Sequence, residues 1–423
     1  MEQRRAGAAE GQESILHALT AYPAYRLLFS TTVATNAAFW MWNMATGWLA
    51  LVLTDSAFFV GLASFLAGIP ILLFALPAGT LIDRADRRKV LLAAQIAVAV
   101  VSSIVVLLLL LDLLEPWHLL VAVFLNGTAM SFVFPTRNAL IANLVPPADL
   151  GNAVGLNATG QNLARIAGPT LAGPLLAAVG ISATFVICTL VQILALTFTL
   201  RLPAVPPAPS GSRPSLLGGI AEGLTVIRRS SYLSGMMILA FVPTMFLLPY
   251  QNFLPVFARD VLEIGSGGLG VLLAVNGVGA VIGSLAVAGS RRLTRRADAL
   301  LWSTILLGLS VIAFAASGSA PLAGLMILLA GLLSSFYSAL NNYHIQMGVD
   351  DRVRGRVLSV YFLSWGVLPV GTLPLGAAAD AYGAPAAVGV MAAIGLALIA
   401  LAALYFPVLR RAGQADFQPD ALA

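Results

Sequence analysis

Charge is what this chain has least of. Only 10% of its 423 residues are Asp, Glu, Lys or Arg, against about 25% in soluble domains. With 59% hydrophobic residues and a mean hydropathy of +0.92, it cannot hide its apolar side chains in a core and still present a charged surface. A soluble globular protein is excluded. Continuous apolar runs in place of short alternating strands exclude a membrane β-barrel. The single cysteine, Cys188, excludes an intramolecular disulfide, and its place inside an apolar run makes the thiol a packing group. Carboxylates are missing from the middle of every apolar run. Asp112, Asp260 and Asp380 stand at one end of their runs, and Asp83, Asp86, Asp149, Asp350 and Asp351 at the other. There is no Walker loop, no His/Cys/acid metal cluster and no nucleophile–base pair, so ATP drive within this chain, a metal centre and an enzyme are not expected. No cofactor is expected either.

What is present is an all-α polytopic membrane pattern. Twelve apolar spans can be read: 25–53, 58–81, 88–112, 116–142, 152–178, 181–202, 232–258, 265–290, 297–317, 320–347, 354–380 and 384–409. Each is long enough to cross about 30 Å of hydrocarbon. The net charge of +5 raises nucleic acid as a partner, but its distribution excludes one. Of 23 Lys and Arg, all but Arg137, Arg165 and Arg259 fall in the termini and in alternate loops or their borders. That is the positive-inside pattern, and it places both termini in the cytoplasm of a multi-pass protein of the cell membrane. The segment 1–24 lacks the apolar core of a cleaved signal peptide. It reads as a cytoplasmic leader to a six-helix half, 25–202. A second half, 232–409, and a cytoplasmic tail, 410–423, follow a cytoplasmic linker, 203–231. Pro203, Pro206, Pro207 and Pro209 open that linker, and Ser215–Arg229 has the pattern of an amphipathic surface helix.

The loop between the second and third spans carries the densest motif, Gly79-Thr-Leu-Ile-Asp83-Arg84-Ala-Asp86-Arg87-Arg88-Lys89. Its spacing resembles the loop 2–3 signature of the major facilitator superfamily of transporters, with Asp86 where that family has a second glycine. The fifth span has Gly168-Pro169 and Gly173-Pro174, similar to the family's fifth-helix motif. Leu53-Thr54-Asp55-Ser56, Phe134-Pro135 and Leu144-Val145-Pro146 resemble the efflux branch that holds the enterobactin exporter and macrolide exporters. Gly79 and Gly283, Asn138 and Asn342, and Gly151 and Gly355 are each 204 residues apart, as two parallel repeats would be.

The resemblance implies twelve transmembrane helices in two six-helix repeats, a monomer, and a small-molecule substrate bound between the halves. Export by alternating access is the first reading, and import or facilitated passage on the same fold is the alternative. Less favoured still is a membrane receptor. Proton coupling stays open, because its usual carrier, a mid-membrane carboxylate, is not visible. Gly79, Asp83, Arg84, Arg87, Arg88, Gly168, Pro169 and Gly173 are the candidate conformational residues.

Helical spacing and the family together suggest the cavity. Asn36, Trp40 and Asn43 share a face of the first span. The resemblance adds Asn126, Met130 and Arg137 from the fourth, Gln251 and Asn252 from the seventh, and Tyr337 and Asn341 from the tenth. Gln161 and Arg165 share a face of the fifth span, and the 204-residue offset pairs them with Trp365 and Pro369, and Asn157 with Tyr361. A guanidinium at mid-span must avoid lipid. Arg165 therefore faces either an aromatic or anionic ligand or the amides and carbonyls of a helix seam.

Overall fold

Long helices begin where the sequence supplies a cap and end where it supplies a break. The computed structural model describes residues 16–205, 216–289 and 297–410, and leaves out the side chain of Asp83. The leading segment up to residue 15, the cations Arg291, Arg292, Arg295 and Arg296, the prolines 206, 207 and 209, and the tail from Arg411 lie outside the described residues. In chain order the helices are α1 (Pro23–Thr54), α2 (Ala57–Arg84), α3 (Arg87–Leu110) and α4 (Pro116–Leu144). Next come the two arms of Leu150–Leu200, α5 (150–179) and α6 (181–200), which meet at Gly180 (φ 82°, ψ 178°). A left-handed φ of that size is cheap only for glycine, so one residue does the work of a loop.

The remaining helices are α7 (Ser231–Val261), α8 (Gly265–Ala288), α9 (Ala297–Ala315), α10 (Ala320–Met347), α11 (Asp351–Tyr382) and α12 (Ala384–Tyr405). Among the described residues, ten helices are long and apolar enough to cross a membrane, Leu150–Leu200 counting once. The 32-residue α1 is not one of them. It carries Thr31, Thr32, Thr35 and Asn36, all buried, and these lower its hydropathy while facing protein. The described residues are helical throughout their regular structure, with no strand among them.

Local chemistry accounts for the ends. Ser56 caps α2, its hydroxyl accepting from the Phe59 amide at 3.1 Å. Asp86 caps α3, accepting from the amides of Arg88 (2.9 Å) and Lys89 (3.4 Å). The residue that departs from the loop 2–3 pattern is therefore a helix N-cap. At α4, Glu115 and His118 form a reciprocal capping pair ahead of Pro116.

The seventh span departs from the regular helix expected of it. It is α-helical over Ser231–Val242, a π-helix over Pro243–Leu247, a 3-10 helix over Leu248–Phe253, and π again over Phe257–Val261. Pro243, Pro249 and Pro255 each remove an amide donor, and the chain re-registers its hydrogen bonds around them. The expected surface helix is present as Leu216–Arg229. It lies on α11: Glu222 pairs with Arg356, and a Cβ at Gly223 would come within 2.5 Å of the Arg356 carbonyl oxygen.

Two seams join the first six helices to the last six. Along one, α2 packs on α11; along the other, α5 packs on α8. The bundle has a basic end, marked by Arg87 and Arg88, and a far end, where α1 stops and α2 starts.

Candidate functional site

Between the two sets of helices lies a cavity of about 260 Å³. Five aromatic rings line it (Phe39, Trp40, Trp42, Phe134 and Trp365), with amides from Asn43, Asn126, Gln251 and Asn252 and the thioethers of Met44 and Met130. Prolines from three helices, Pro169, Pro255 and Pro369, complete the wall. No lining residue is ionisable. Of the residues expected there, Trp40, Asn43, Asn126, Met130, Gln251, Asn252 and Trp365 line this space.

The other seven do not reach the wall. Asn36 is buried below it and donates to the Thr32 carbonyl at 2.8 Å. Tyr337, Asn341 and Tyr361 are buried in the second half, Asn341 with no hydrogen-bond partner for its amide. Gln161 and Arg165 are partly buried on α5. The charge of Arg165 acts on Tyr250 of α7. Tyr250 in turn accepts from the Asn276 amide at 2.9 Å. Arg137 is fully buried, with its guanidinium 5.4 Å from the Phe134 ring centroid. None of its three nitrogens has a hydrogen-bond partner.

Sequence reasoning missed Phe39, Trp42 and Phe134. The four-residue spacing of Phe39 and Asn43, and of Met130 and Phe134, could have revealed two of them.

The fifth-helix motif divides its work by position. A Cβ on Gly168 would sit 2.8 Å from the Trp40 Cβ, so that glycine lets α1 approach. One on Gly173 would sit 2.5 Å from the Gly270 Cα, so that one lets α8 approach. Pro169 between them faces the cavity.

The loop 2–3 cations cap helix C-termini, where the backbone is electronegative. Arg87 donates to the Ala139 carbonyl at 3.1 Å and to Asn143. Arg88 donates to the Leu200 carbonyl, at the end of α6, at 2.6 Å. Arg84 is exposed on the last turn of α2, and Gly79 is partly buried one turn earlier.

The far end holds a second polar cluster, and here the two sets of helices are bonded to each other. Arg259 of α7 pairs with Asp55, which has a left-handed φ of 52° after α1, and donates to the Leu51 carbonyl at 3.0 Å. Asp380, near the end of α11, accepts from the Ser56 hydroxyl (2.7 Å) and the Phe58 amide (3.0 Å) at the start of α2. Nearby, the Thr372 hydroxyl donates to the Gly61 carbonyl at 3.0 Å. Every hydrogen bond placed between described residues of the two sets lies toward this end.

A bundle of apolar helices around an uncharged cavity, its two sets bonded to each other at the far end among the described residues, is the architecture of a membrane transporter. Residues 17–422 match the family described as transmembrane secretion effectors, and the chain belongs to that family of major facilitator transporters. Among curated relatives, the multidrug efflux pump Tap of Mycobacterium bovis is 29% identical, over 94% of this chain and 96% of that protein. The staphyloferrin A transporter of Staphylococcus aureus is 23% identical, over 91% and 96%. Macrolide efflux protein A of Streptococcus pyogenes is 23% identical, over 73% and 77%. Among solved structures, a POT family transporter in complex with 5-aminolevulinic acid superposes with a TM-score of 0.73 at 12% identity, over 92% of this chain and 97% of that one. A bacterial homolog of the human lysosomal transporter Spinster, in an inward-facing and unoccupied conformation, does so with 0.69 at 16% identity, over 92% and 98%. These neighbours share the fold.

Proposed function

We propose that the protein exports a small organic molecule from the cytoplasm across the cell membrane by alternating access, as a monomer with twelve transmembrane helices in two repeats. The two arms of Leu150–Leu200 each count as one crossing in this reading, and α1 as another. The halves are 25–202 and 232–409, with both termini and the 203–231 linker on the cytoplasmic side, as the basic loops require. The basic end is then cytoplasmic, and the cavity opens toward it. One observation carries this: the hydrogen bonds placed between described residues of the two halves lie at the far end.

Substrate enters from the cytoplasm among Trp40, Asn43, Gln251 and Trp365. The α2–α11 and α5–α8 seams then rock about it. Asp83, Arg87 and Arg88 hold the cytoplasmic closure of the opposite state. Kinship to efflux proteins that handle a macrolide, a siderophore or several drugs supports export over import. Comparing the medium and contents of cells with and without the gene tests the direction. Export predicts a compound enriched in the medium only when the protein is present. Depletion of a medium compound by those same cells would instead make it an importer. Collapsing the proton gradient in the export assay tests coupling, since proton-driven export stops.

A further inference from the structure

A buried cation, Arg137, and a partly buried one, Arg165, stand beside the cavity with no carboxylate paired to either among the described residues. Arg165 lies four residues before Pro169 on α5, and Arg137 three residues after Phe134 on α4; Pro169 and Phe134 both line the cavity. Because α5 leaves the basic end and α4 approaches it, both guanidinium groups sit on the cavity's basic side. The Arg137 nitrogens have no hydrogen-bond partner, and no ion pair to Arg165 is found among the described residues. Among the described residues the buried carboxylates are Asp149 and Asp298, both at helix starts on the basic end. Asp149 is already engaged by Tyr22 and by His17 at 3.5 Å. The repeat-related positions in the second half, Asn341 and Pro369, carry no charge.

A positive potential in a low-dielectric space favours an anion and opposes a cation. The walls say what the rest of the ligand is. Flat rings from both halves accept a flat apolar body, and four amides fix its polar edge. We infer that the transported molecule is an amphipathic organic anion: an aromatic or similarly flat body bearing a carboxylate, whose charge is met by Arg165 and, through the Phe134 ring, by Arg137. This rests on the export reading for its direction and on the cavity alone for its ligand class.

The test is equilibrium binding to the purified full-length protein of three probes with one body: 2-naphthoate, 2-naphthamide and 2-naphthylmethylammonium. The carboxylate is expected to bind about a hundredfold or more tightly than the ammonium, a roughly tenfold Coulomb gain for one charge and a similar loss for the other across about 10 Å at an effective dielectric near 20. The neutral amide should fall between. Arg165→Gln should erase most of that preference and leave the amide's affinity in place, while Arg165→Lys keeps it. Arg137→Gln should weaken it in the same sense. An ammonium that binds as well as the carboxylate, a preference untouched in Arg165→Gln, or no binding by any of the three overturns the inference. Anion-selective binding with no protein-dependent release from cells would leave the ligand class standing and defeat export instead.

Discussion

Removing the far-end bonds should change which face of the protein is open, and the size of the change can be worked out. Arg259→Ala with Asp380→Ala deletes the links that exist only while the two halves touch there. Asp55 is 85% exposed, so its ion pair with Arg259 contributes about 0.5 kcal/mol. The Arg259 bond to the Leu51 carbonyl adds about 1 kcal/mol. Asp380 acts as a cap supplied to α2 by another helix, for about 1 kcal/mol more. The bond from Arg259 to its neighbour Asp260 exists in either state and does not count.

About 2.5 kcal/mol lost from one state shifts the ratio of the two states roughly seventy-fold. Spin labels at Leu111 and Tyr382, both exposed at the far end, report it as a longer distance population in a Cys188→Ser background. Exchanging the charges, with Asp55→Arg and Arg259→Asp, should return most of the short distance. An unchanged distance distribution in the double variant would show that these bonds decorate the closure and do not hold it. A charge exchange that fails to rescue would assign the effect to Arg259 alone.

Other outcomes follow from single contacts. Gly173→Val puts side-chain atoms into the Gly270 backbone and should impair transport at matched membrane levels, with a stability loss of about 1–3 kcal/mol; normal flux would place the α5–α8 crossing outside the cycle. Asp86→Ala removes the α3 cap and should cost about 1 kcal/mol in thermal unfolding. Asp83→Asn is expected to lower transport while insertion stays intact, and equal flux at equal abundance would reject its role in cytoplasmic closure. A cysteine at Ser210, with Cys188→Ser, should resist an impermeant thiol reagent in intact cells; labelling from outside would invert the proposed topology.

Hydrophobic runs and basic turns made most helix positions legible, since a membrane forbids unsatisfied backbone over the width of a span. The α5–α6 join was placed within a residue or two because Gly180 is the break. Helical spacing found cavity residues along α1, and the family resemblance supplied those along α4. The 204-residue offset set Arg165 against Pro369, whereas the phenol acting on its charge is Tyr250 of α7. Spacing gives a direction around one helix axis, and the tilt between two halves decides what stands opposite. His344, near the basic end of α10, is fully buried, its ring nitrogen 2.9 Å from the Tyr232 hydroxyl. The Asp55–Arg259 pair spans the 204-residue offset itself. It was overlooked because the offset was used to match like residues, and this ion pair joins unlike ones.

The changing coil of α7 sets the aim of two cavity amides. Gln251 and Asn252 stand in its six-residue 3-10 stretch. Three residues per turn with a rise of about 2.0 Å, in place of 3.6 and 1.5 Å, turn such a stretch by roughly 120° and lengthen it by about 3 Å relative to an α-helix. Winding the same six residues as α-helix would swing both amides off the cavity with no residue in its wall replaced. The prolines at 249 and 255 thus work like the teeth of a cam. They convert hydrogen-bond pitch into side-chain bearing, and a substitution there would retune what the cavity grips while every gripping residue stayed the same.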